Sequence, residues 1–356
     1  MKSELGKIAI LGSGETSPNL VSVHRELLDD GASSNCYMID SPFGFQENAN
    51  QLVEKIQDFY KTSLNIKMNL ASFRKIEELN SKSFFKTIQL LESASFIFAG
   101  PGSPSYASKL WSDNQIQSIL LNHLSEGKNA LFASAAATTL GENTLPVYEI
   151  YKVGKDPFWE KGLNILDAYD LSCSVVPHFN NKEGGNHDTS YSYVGKNRIK
   201  KLLEQSYSNI LGIDEHTALI ISGKEGLFKV KGIGKLSVIN KNGTHEFDNG
   251  SVEDLSILQN LLKPDKNKTE NQKEILENES QDTLYLKQIA KLEIEVENNK
   301  KNNKRFSQIV NELISLRGKL REEENYELSD TIRDILESCN LQIEDNGNDI
   351  KWSIID

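Results

Sequence analysis

Short, uninterrupted apolar runs that stop on clusters of small and polar residues constrain this chain's fold more than any other feature. Lys7 to Leu11 ends on Gly12-Ser13-Gly14, and Ser95 to Ala99 enters Gly100-Pro101-Gly102. Ala130 to Ala133 runs into Ser134, and Cys173 to Val176 leads to Pro177-His178. Cys36 to Asp40, Ile210 to Ile213 and Ala218 to Ile221 read as strands of the same kind. A strand that is apolar at nearly every position is buried on both faces, as in a parallel sheet covered by helices. Helical stretches lie between these runs: Pro18 to Asp30 closed by Gly31, Gln46 to Tyr60, and Asp113 to Glu126 stopped by Gly127. Proline near a helix start and glycine just past its end fit the termini. Strands alternating with helices predict a three-layer α/β/α domain around a mostly parallel sheet. Gly226 to Val230 and Leu236 to Asn240 alternate in polarity around turns, which predicts a small antiparallel edge.

The chain has 356 residues, more than one typical compact unit needs. An apolar fraction of 38% and a mean hydropathy of -0.47 fit one packed domain with a polar extension. The predicted division is an α/β domain over 1–262, a polar charged linker over 263–305 and a small module over 306–356. The linker is rich in Lys, Asn, Glu and Gln and buries little, although Tyr285 to Val296 has enough apolar residues for a helix. In the last module Ile309, Leu313, Leu316 and Leu320 recur at helical spacing. Leu328, Ile332 and Ile335 or Leu336 repeat the pattern after Glu322 to Asn325, which predicts a helical hairpin. Leu341 to Glu344 and Asp349 to Trp352 flank Asn346-Gly347, a signal for a β-hairpin.

Net charge is -11. That balance repels nucleic acid at long range and argues against a phosphate-driven binder. Cys36, Cys173 and Cys339 form no CxxC pair and no metal-ligand spacing, so neither a disulfide framework nor a zinc site is expected. No window approaches a membrane span and the first residues lack a signal-peptide core, so the expected compartment is the cytoplasm, without membrane contact. No cofactor is expected.

In open parallel sheets, ligands bind at the carboxyl ends of strands. Four polar clusters fall there. The first, Gly12 to Thr16, lets a ligand approach the backbone at Gly14 and includes Glu15. It lacks the third glycine of a dinucleotide fingerprint. The second, Gly100 to Pro104, is placed to aim an amide at an oxyanion, or to cap a helix through Ser103 with Pro104 at its first position. The third puts Ser134 between a buried strand and a helix, as a nucleophile elbow does, with Ala133, Ala135, Ala136 and Ala137 as small neighbours. From spacing alone, Ser134 acting as a helix N-cap ranks ahead of the nucleophile. The fourth brings His178 off a strand, able to act as a general base or to pack at the strand end. The polar loop behind it holds Asn180, Asn181, His187 and Asp188, and Arg198 on the next helix is a candidate for a substrate carboxylate. His178, His187 and Asp188 match no standard metal motif. A base needs a third group to orient it, and Glu149, Asp214 and Glu215 are the candidates.

Taken together, these clusters resemble the cyanophycinase and dipeptidase E group of serine peptidases. The shared order is a Gly-rich first turn, a second Gly-rich turn, a serine elbow, the His178-Phe179 pair and Gly212-Ile213-Asp214-Glu215-His216-Thr217-Ala218. The likeness spans about residues 5 to 245. It implies a class I glutamine amidotransferase-like fold, Ser134 as nucleophile, His178 as base and an oxyanion hole from the amides of Gly102 and Ala135. It also implies peptide substrates with acidic or aspartyl-linked residues. With the departures at Phe132, Ala136 and Val176, the expectation is a serine hydrolase of a peptide-like or other amide bond, and the alternative is a non-catalytic binding protein associated with tRNA or a synthetase. Phe132 and Ala136 stand where the group's elbow has glycines, and Val176 stands where an acidic residue is frequent. The last 40 or so residues, from Leu313 to Trp352, resemble the C-terminal piece of cysteinyl-tRNA synthetase, most sharply in Asp330-Thr331-Ile332-Arg333-Asp334. That likeness implies contact with tRNA or with an aminoacyl-tRNA synthetase. From Leu313 to Asp356 there are five Lys or Arg against eleven Asp or Glu, the wrong sign for phosphate. A protein-docking or stabilising module is the alternative.

Overall fold

The computed structural model describes residues 5–28, 35–263, 281–299, 303–338, 341–346 and 349–354. The chain divides into two units, one of residues 1–77 and 90–271 and one of residues 78–89 and 272–356.

The first unit opens with β1 (Lys7–Leu11), α1 (Val21–Leu28), β2 (Cys36–Ile39), α2 (Ala49–Leu64), β3 (Met68–Ala71) and β4 (Phe96–Ala99). Next come α3 (Pro104–Trp111), α4 (Gln115–Ser125), β5 (Asn129–Ala133), α5 (Ala135–Thr138), β6 (Asn143–Thr144), α6 (Val147–Tyr151) and β7 (Glu160–Lys161). The unit continues through β8 (Ser174–Val176), α7 (Lys196–Gln205), β9 (Ile210–Ile213), β10 (Thr217–Ser222) and β11 (Leu227–Gly232). It ends with β12 (Lys235–Asn240), β13 (Gly243–Asp248), β14 (Val252–Asp254) and α8 (Leu255–Leu261).

The eight-stranded sheet has the order β14-β11-β10-β1-β5-β4-β2-β3. From β3 to β1 the strands run parallel. Beyond β1, strands β10, β11 and β14 run antiparallel. Register explains why the apolar runs are continuous. Ala9, Leu11, Met38, Phe98, Leu131 and Ala133 join one core with Val23, Leu27, Val53 and Ile56 from α1 and α2. Residues of the opposite parity, Ile8, Ile10, Ile97, Ala130 and Phe132, are buried just as completely. Both faces are therefore covered, and period-2 alternation has nothing to report.

The antiparallel edge exists but is divided. Strand β11 extends the large sheet, whereas β12 joins a four-stranded sheet of order β13-β12-β9-β8. The parallel pair β8 and β9 lies in this second sheet and delivers the residues that follow each strand toward the β1 turn. Strand β3 and the helix Lys82–Glu92 carry no clear sequence signal. The β3 segment MNLA is only half buried, as an edge strand is.

Two histidines buried in this unit make folding sensitive to acid. His24 sits between the Tyr60 hydroxyl (2.9 Å) and the Glu15 carbonyl (2.8 Å). His123 faces the Asn129 carbonyl at 2.9 Å. Burial lowers each from 6.5 to about 4. The folded chain keeps both rings neutral where the unfolded chain protonates them, so stability is complete above about pH 6.5 and declines toward pH 4. The expected loss by pH 5 is about 2 kcal/mol per histidine, read as a lower urea midpoint than at pH 7.5. An unchanged midpoint would contradict the burial argument, because few carboxylates titrate in that interval. Burial also raises the Cys36 thiol to about 11, and raises that of Cys173 further. Neither is a reactive thiolate; Cys339 lies outside the described residues.

The second unit contains α9 (Gln281–Asn299), α10 (Asn303–Glu322), α11 (Tyr326–Ser338), β15 (Leu341–Asn346) and β16 (Asp349–Ile354). The helical hairpin and β-hairpin expected from the spacing are both present, and β15 pairs antiparallel with β16. Residue 347 of the expected turn lies outside the described residues. Within 263–305 the helix expected around Tyr285 to Val296 is present, but it is packed rather than solvated. This is the 19-residue helix α9, whose Tyr285, Ile289, Leu292 and Val296 pack with Ile309, Leu313, Leu320, Ile332 and Leu336 in one core. Those four residues recur at three- and four-residue steps, a helical stripe within a charged composition. In the Asp330 to Asp334 motif Ile332 is buried, while Asp330 and Asp334 are exposed. That segment is the ordinary pattern of an amphipathic helix.

Candidate active site

The site is built where β5, β1, β8 and β9 end. All residues from Asn129 to Gly141 are buried except Ser134. Its backbone makes the turn at φ 51 and ψ -117, and its side chain makes no capping bond to α5. The N-cap reading of Ser134 is thereby corrected: the hydroxyl points instead to His178, with Oγ 2.8 Å from Nε2. Such a backbone conformation costs about 1–3 kcal/mol in a non-glycine residue and marks functional turns. The elbow forms without the two expected glycines. Phe132 is absorbed in the buried strand between Ile10 and Ala99. The Ala136 amide donates to the Gly100 carbonyl at 3.2 Å.

His178 is held by backbone bonds. Its amide donates to the Gly12 carbonyl at 3.2 Å, and the Phe179 amide to the Ile213 carbonyl at 3.1 Å. The glycines of two sequence motifs make this close approach possible. A Cβ at Gly12 would stand 2.0 Å from the Asp214 carbonyl oxygen, and one at Gly212 would stand 2.3 Å from the Phe179 ring. The Gly-rich first turn is therefore a packing device that lets the ends of β1 and β9 meet the His178 loop.

His178 Nδ1 lies 2.9 Å from Glu215 Oε1. The bond to His178 holds the Glu215 carboxyl below the usual range, against the opposing effect of burial. An ionised Glu215 accepts from Nδ1–H, which leaves Nε2 to accept from the Ser134 hydroxyl. Asn181 Nδ2 donates to the same Oε1 at 2.8 Å, and Asn180 Oδ1 accepts from the Glu215 amide at 2.9 Å. Asn181 thus holds the Glu215 carboxylate and Asn180 holds its backbone amide.

Of the three acidic candidates, Glu215 is beside the histidine and the other two are not. Asp214 accepts from the Lys235 amide at 2.9 Å and ties β9 to β12. Glu149 accepts from Ser105 at 2.7 Å on α3. Of the other expected substrate contacts, Asp188 and Arg198 make bonds within the chain. Asp188 accepts from the amides of Ser190 and Lys196. Arg198 is exposed and donates to the Val194 carbonyl. The Glu15 carbonyl accepts from His24. Gly14, at φ 74, would place a Cβ 2.4 Å from His216 Nδ1.

Ser103 does cap α3, accepting from the Tyr106 amide at 3.3 Å. Gly102 has φ 143 and would place a Cβ 1.9 Å from the Pro42 carbonyl oxygen, so only glycine fits that turn. Ala135 is the first residue of α5, a position whose amide has no intrahelical acceptor. The bond from Ala136 to Gly100 brings these two turns together.

Tyr193 was not among the expected residues. Its ring lies 5.7 Å from that of His178, and its hydroxyl donates to Glu183 at 2.9 Å. Burial and the Glu183 bond keep that hydroxyl protonated. Its only sequence cue is an aromatic pair, Tyr191 and Tyr193, in an otherwise polar loop. Among the described residues no group of three or more His, Cys, Asp and Glu is placed to hold a metal. His187 stacks on Tyr151 instead. No described helix is long and apolar enough to cross a membrane.

No protein-family model matches the chain, and no curated protein matches it. Neither comparison supports a likeness of the last module to cysteinyl-tRNA synthetase. Among solved structures, a peptidase from an acI-B1 Actinobacterium is similar with a TM-score of 0.58 at 19% identity, covering 71% of this chain and 98% of that one. A Listeria monocytogenes EGD-e protein assigned as peptidase E has a TM-score of 0.41 at 16% identity, covering 65% of this chain and all of that one. The fold of the first unit is therefore the α/β fold of the actinobacterial structure, with a mostly parallel central sheet.

Proposed function

We propose that the chain is a serine hydrolase acting on a peptide-like or other amide bond. The observation that carries this reading is the continuous chain of bonds from Ser134 Oγ through His178 to Glu215, at 2.8 and 2.9 Å. It begins on the one residue of the elbow that is not buried. The fold of the actinobacterial peptidase adds support from a second direction.

The steps follow from the bonds. Ser134 Oγ attacks the substrate carbonyl as His178 Nε2 takes its proton. The amides of Gly102 and Ala135 receive the developing oxyanion. Glu215 keeps Nδ1 protonated and offsets the imidazolium charge. His178 then gives its proton to the leaving nitrogen, whose bond to the carbonyl carbon breaks. A water molecule, deprotonated by the same nitrogen, then attacks the acyl carbon, and His178 returns that proton to Ser134 Oγ as the ester bond breaks and the acid leaves. Neither His187 nor Asp188 has a role in this scheme.

Hydrolysis of an activated ester and of a blocked dipeptide panel tests the reading. Turnover is expected with the native chain and should vanish with Ser134→Ala. Equal turnover by the two proteins would overturn it.

A further inference from the structure

Three successive residues near His178 share a backbone conformation that side chains disfavour. Tyr191, Ser192 and Tyr193 have φ values of 56, 56 and 67. Residues other than glycine enter this left-handed region singly and at a cost. The glycines of the same loop, Gly184, Gly185 and Gly195, stand at other positions. A run of this kind persists only where its surroundings over-determine it.

The bonds that hold the turn run to the residues around the base. The Tyr191 amide donates to the Phe179 carbonyl at 2.9 Å, and the Ser192 amide to the His178 carbonyl at 3.2 Å. The Ser192 hydroxyl donates to the Pro177 carbonyl at 2.5 Å. Three successive carbonyls are thus bonded by two successive residues. Ser192 is 2% exposed, so water does not stand in for its hydroxyl. The Tyr191 ring also meets the Phe179 ring edge-on, with centroids 4.4 Å apart. The far side of the turn is anchored as well. The Tyr193 amide donates to the Thr189 carbonyl and the Gly195 amide to the Ser190 carbonyl, each at 2.8 Å. Asp188 accepts from the amides of Ser190 and Lys196, which ties the turn to the start of α7.

His178 itself has φ 47. Its amide donates to the Gly12 carbonyl on the other side. The base is therefore a strained residue clamped between the end of β1 and the turn. Its ring has to meet Ser134 at 2.8 Å and Glu215 at 2.9 Å at once. Loss of the donors on residues 177 to 179 would let His178 relax toward extended backbone and carry the ring out of line.

We infer that the left-handed turn of Tyr191, Ser192 and Tyr193 positions the base, with Ser192 as the positioning residue that acts through the backbone of Pro177 and His178. The catalytic consequence rests on the hydrolase reading above; the clamp on the imidazole does not.

The test uses the full chain and two readouts. One is the rate of fluorophosphonate labelling. The other is the proton resonance of His178 Nδ1–H, shifted downfield by the bond to Glu215 and identified by its loss in His178→Ala. Ser192→Ala is expected to label about 10- to 100-fold more slowly and to lose that resonance. Ser192→Gly removes the same hydroxyl but relieves the φ of 56. It should fold at least as stably as Ser192→Ala and still label as slowly. A merely structural role would make labelling follow stability. Ser190→Ala is the control within the loop, since its hydroxyl bonds Asp188 at 2.6 Å. It should keep the resonance and label at nearly the native rate. Native labelling and an intact resonance in both Ser192 variants would overturn the inference, as would an equal loss in Ser190→Ala. In a chain that labels, a change in only one readout overturns it too. If the native chain takes no label, the hydrolase reading falls and the resonance decides alone. Its loss in Ser192→Gly then upholds the clamp, and its persistence removes the clamp as well.

Discussion

Replacing Ser134 by alanine is expected to lower hydrolytic turnover by about 10⁴-fold or more, and His178→Ala by a similar factor. The two substitutions combined should cost little more than either one, because nucleophile and base act as a unit across their 2.8 Å bond. Additive losses would show that the residues work independently. Stability should move the other way. Ser134 holds φ at 51, which glycine adopts without strain. Ser134→Gly is therefore expected to be inactive yet to raise unfolding stability by about 1 kcal/mol, less the entropy that glycine adds to the unfolded chain. Chemical denaturation of the two proteins checks this directly.

Glu215→Gln is expected to reduce kcat by about 10³–10⁴-fold with a small change in KM. An amide that turns its NH₂ toward Nδ1 forces the proton onto Nε2, and His178 then cannot accept from Ser134. The ionised state of Glu215 is favoured by its bond to His178 and by Asn181. Asn181→Ala should thus weaken kcat in the same direction but less. Asp214→Asn is the control. Its carboxylate serves the Lys235 amide, a bond that asparagine can still accept, so kcat should stay near the native value. A larger loss at Asp214 than at Glu215 would reassign the orienting carboxylate.

The parallel sheet was legible because strands covered on both faces must be apolar throughout, as Ile8 to Leu11 and Ala130 to Ala133 are. Strand β3 was not, because an edge strand such as MNLA is only half buried and tolerates polar residues. Helix α9 was expected around Tyr285 to Val296, but its burial in a core was not legible, for a different reason. Its four core positions are spread through Lys, Glu and Gln, and composition averages them away. Within the site, Ser134 and His178 were visible as polar residues at the ends of apolar runs. Spacing could not decide whether Ser134 capped a helix, since that turns on a φ of 51 and on where the side chain points. Nor could it choose Glu215 over Asp214. Neighbours on a strand end face opposite ways, and only the chain path settles which faces the histidine. Asn180 and Asn181 read as ligand contacts because polar loop residues usually line pockets. Here the loop folds back, and they hold Glu215.

Hydrolysis at this site requires Ser134 to be a nucleophile. Fluorophosphonate labelling followed by intact-mass measurement and peptide mapping tests this without knowledge of the substrate. The expected result is one added phosphonyl group on the native chain, mapped to Ser134, with none on Ser134→Ala and strongly slowed addition on His178→Ala. A native chain that takes up no label, or a label that persists after Ser134→Ala, would contradict it.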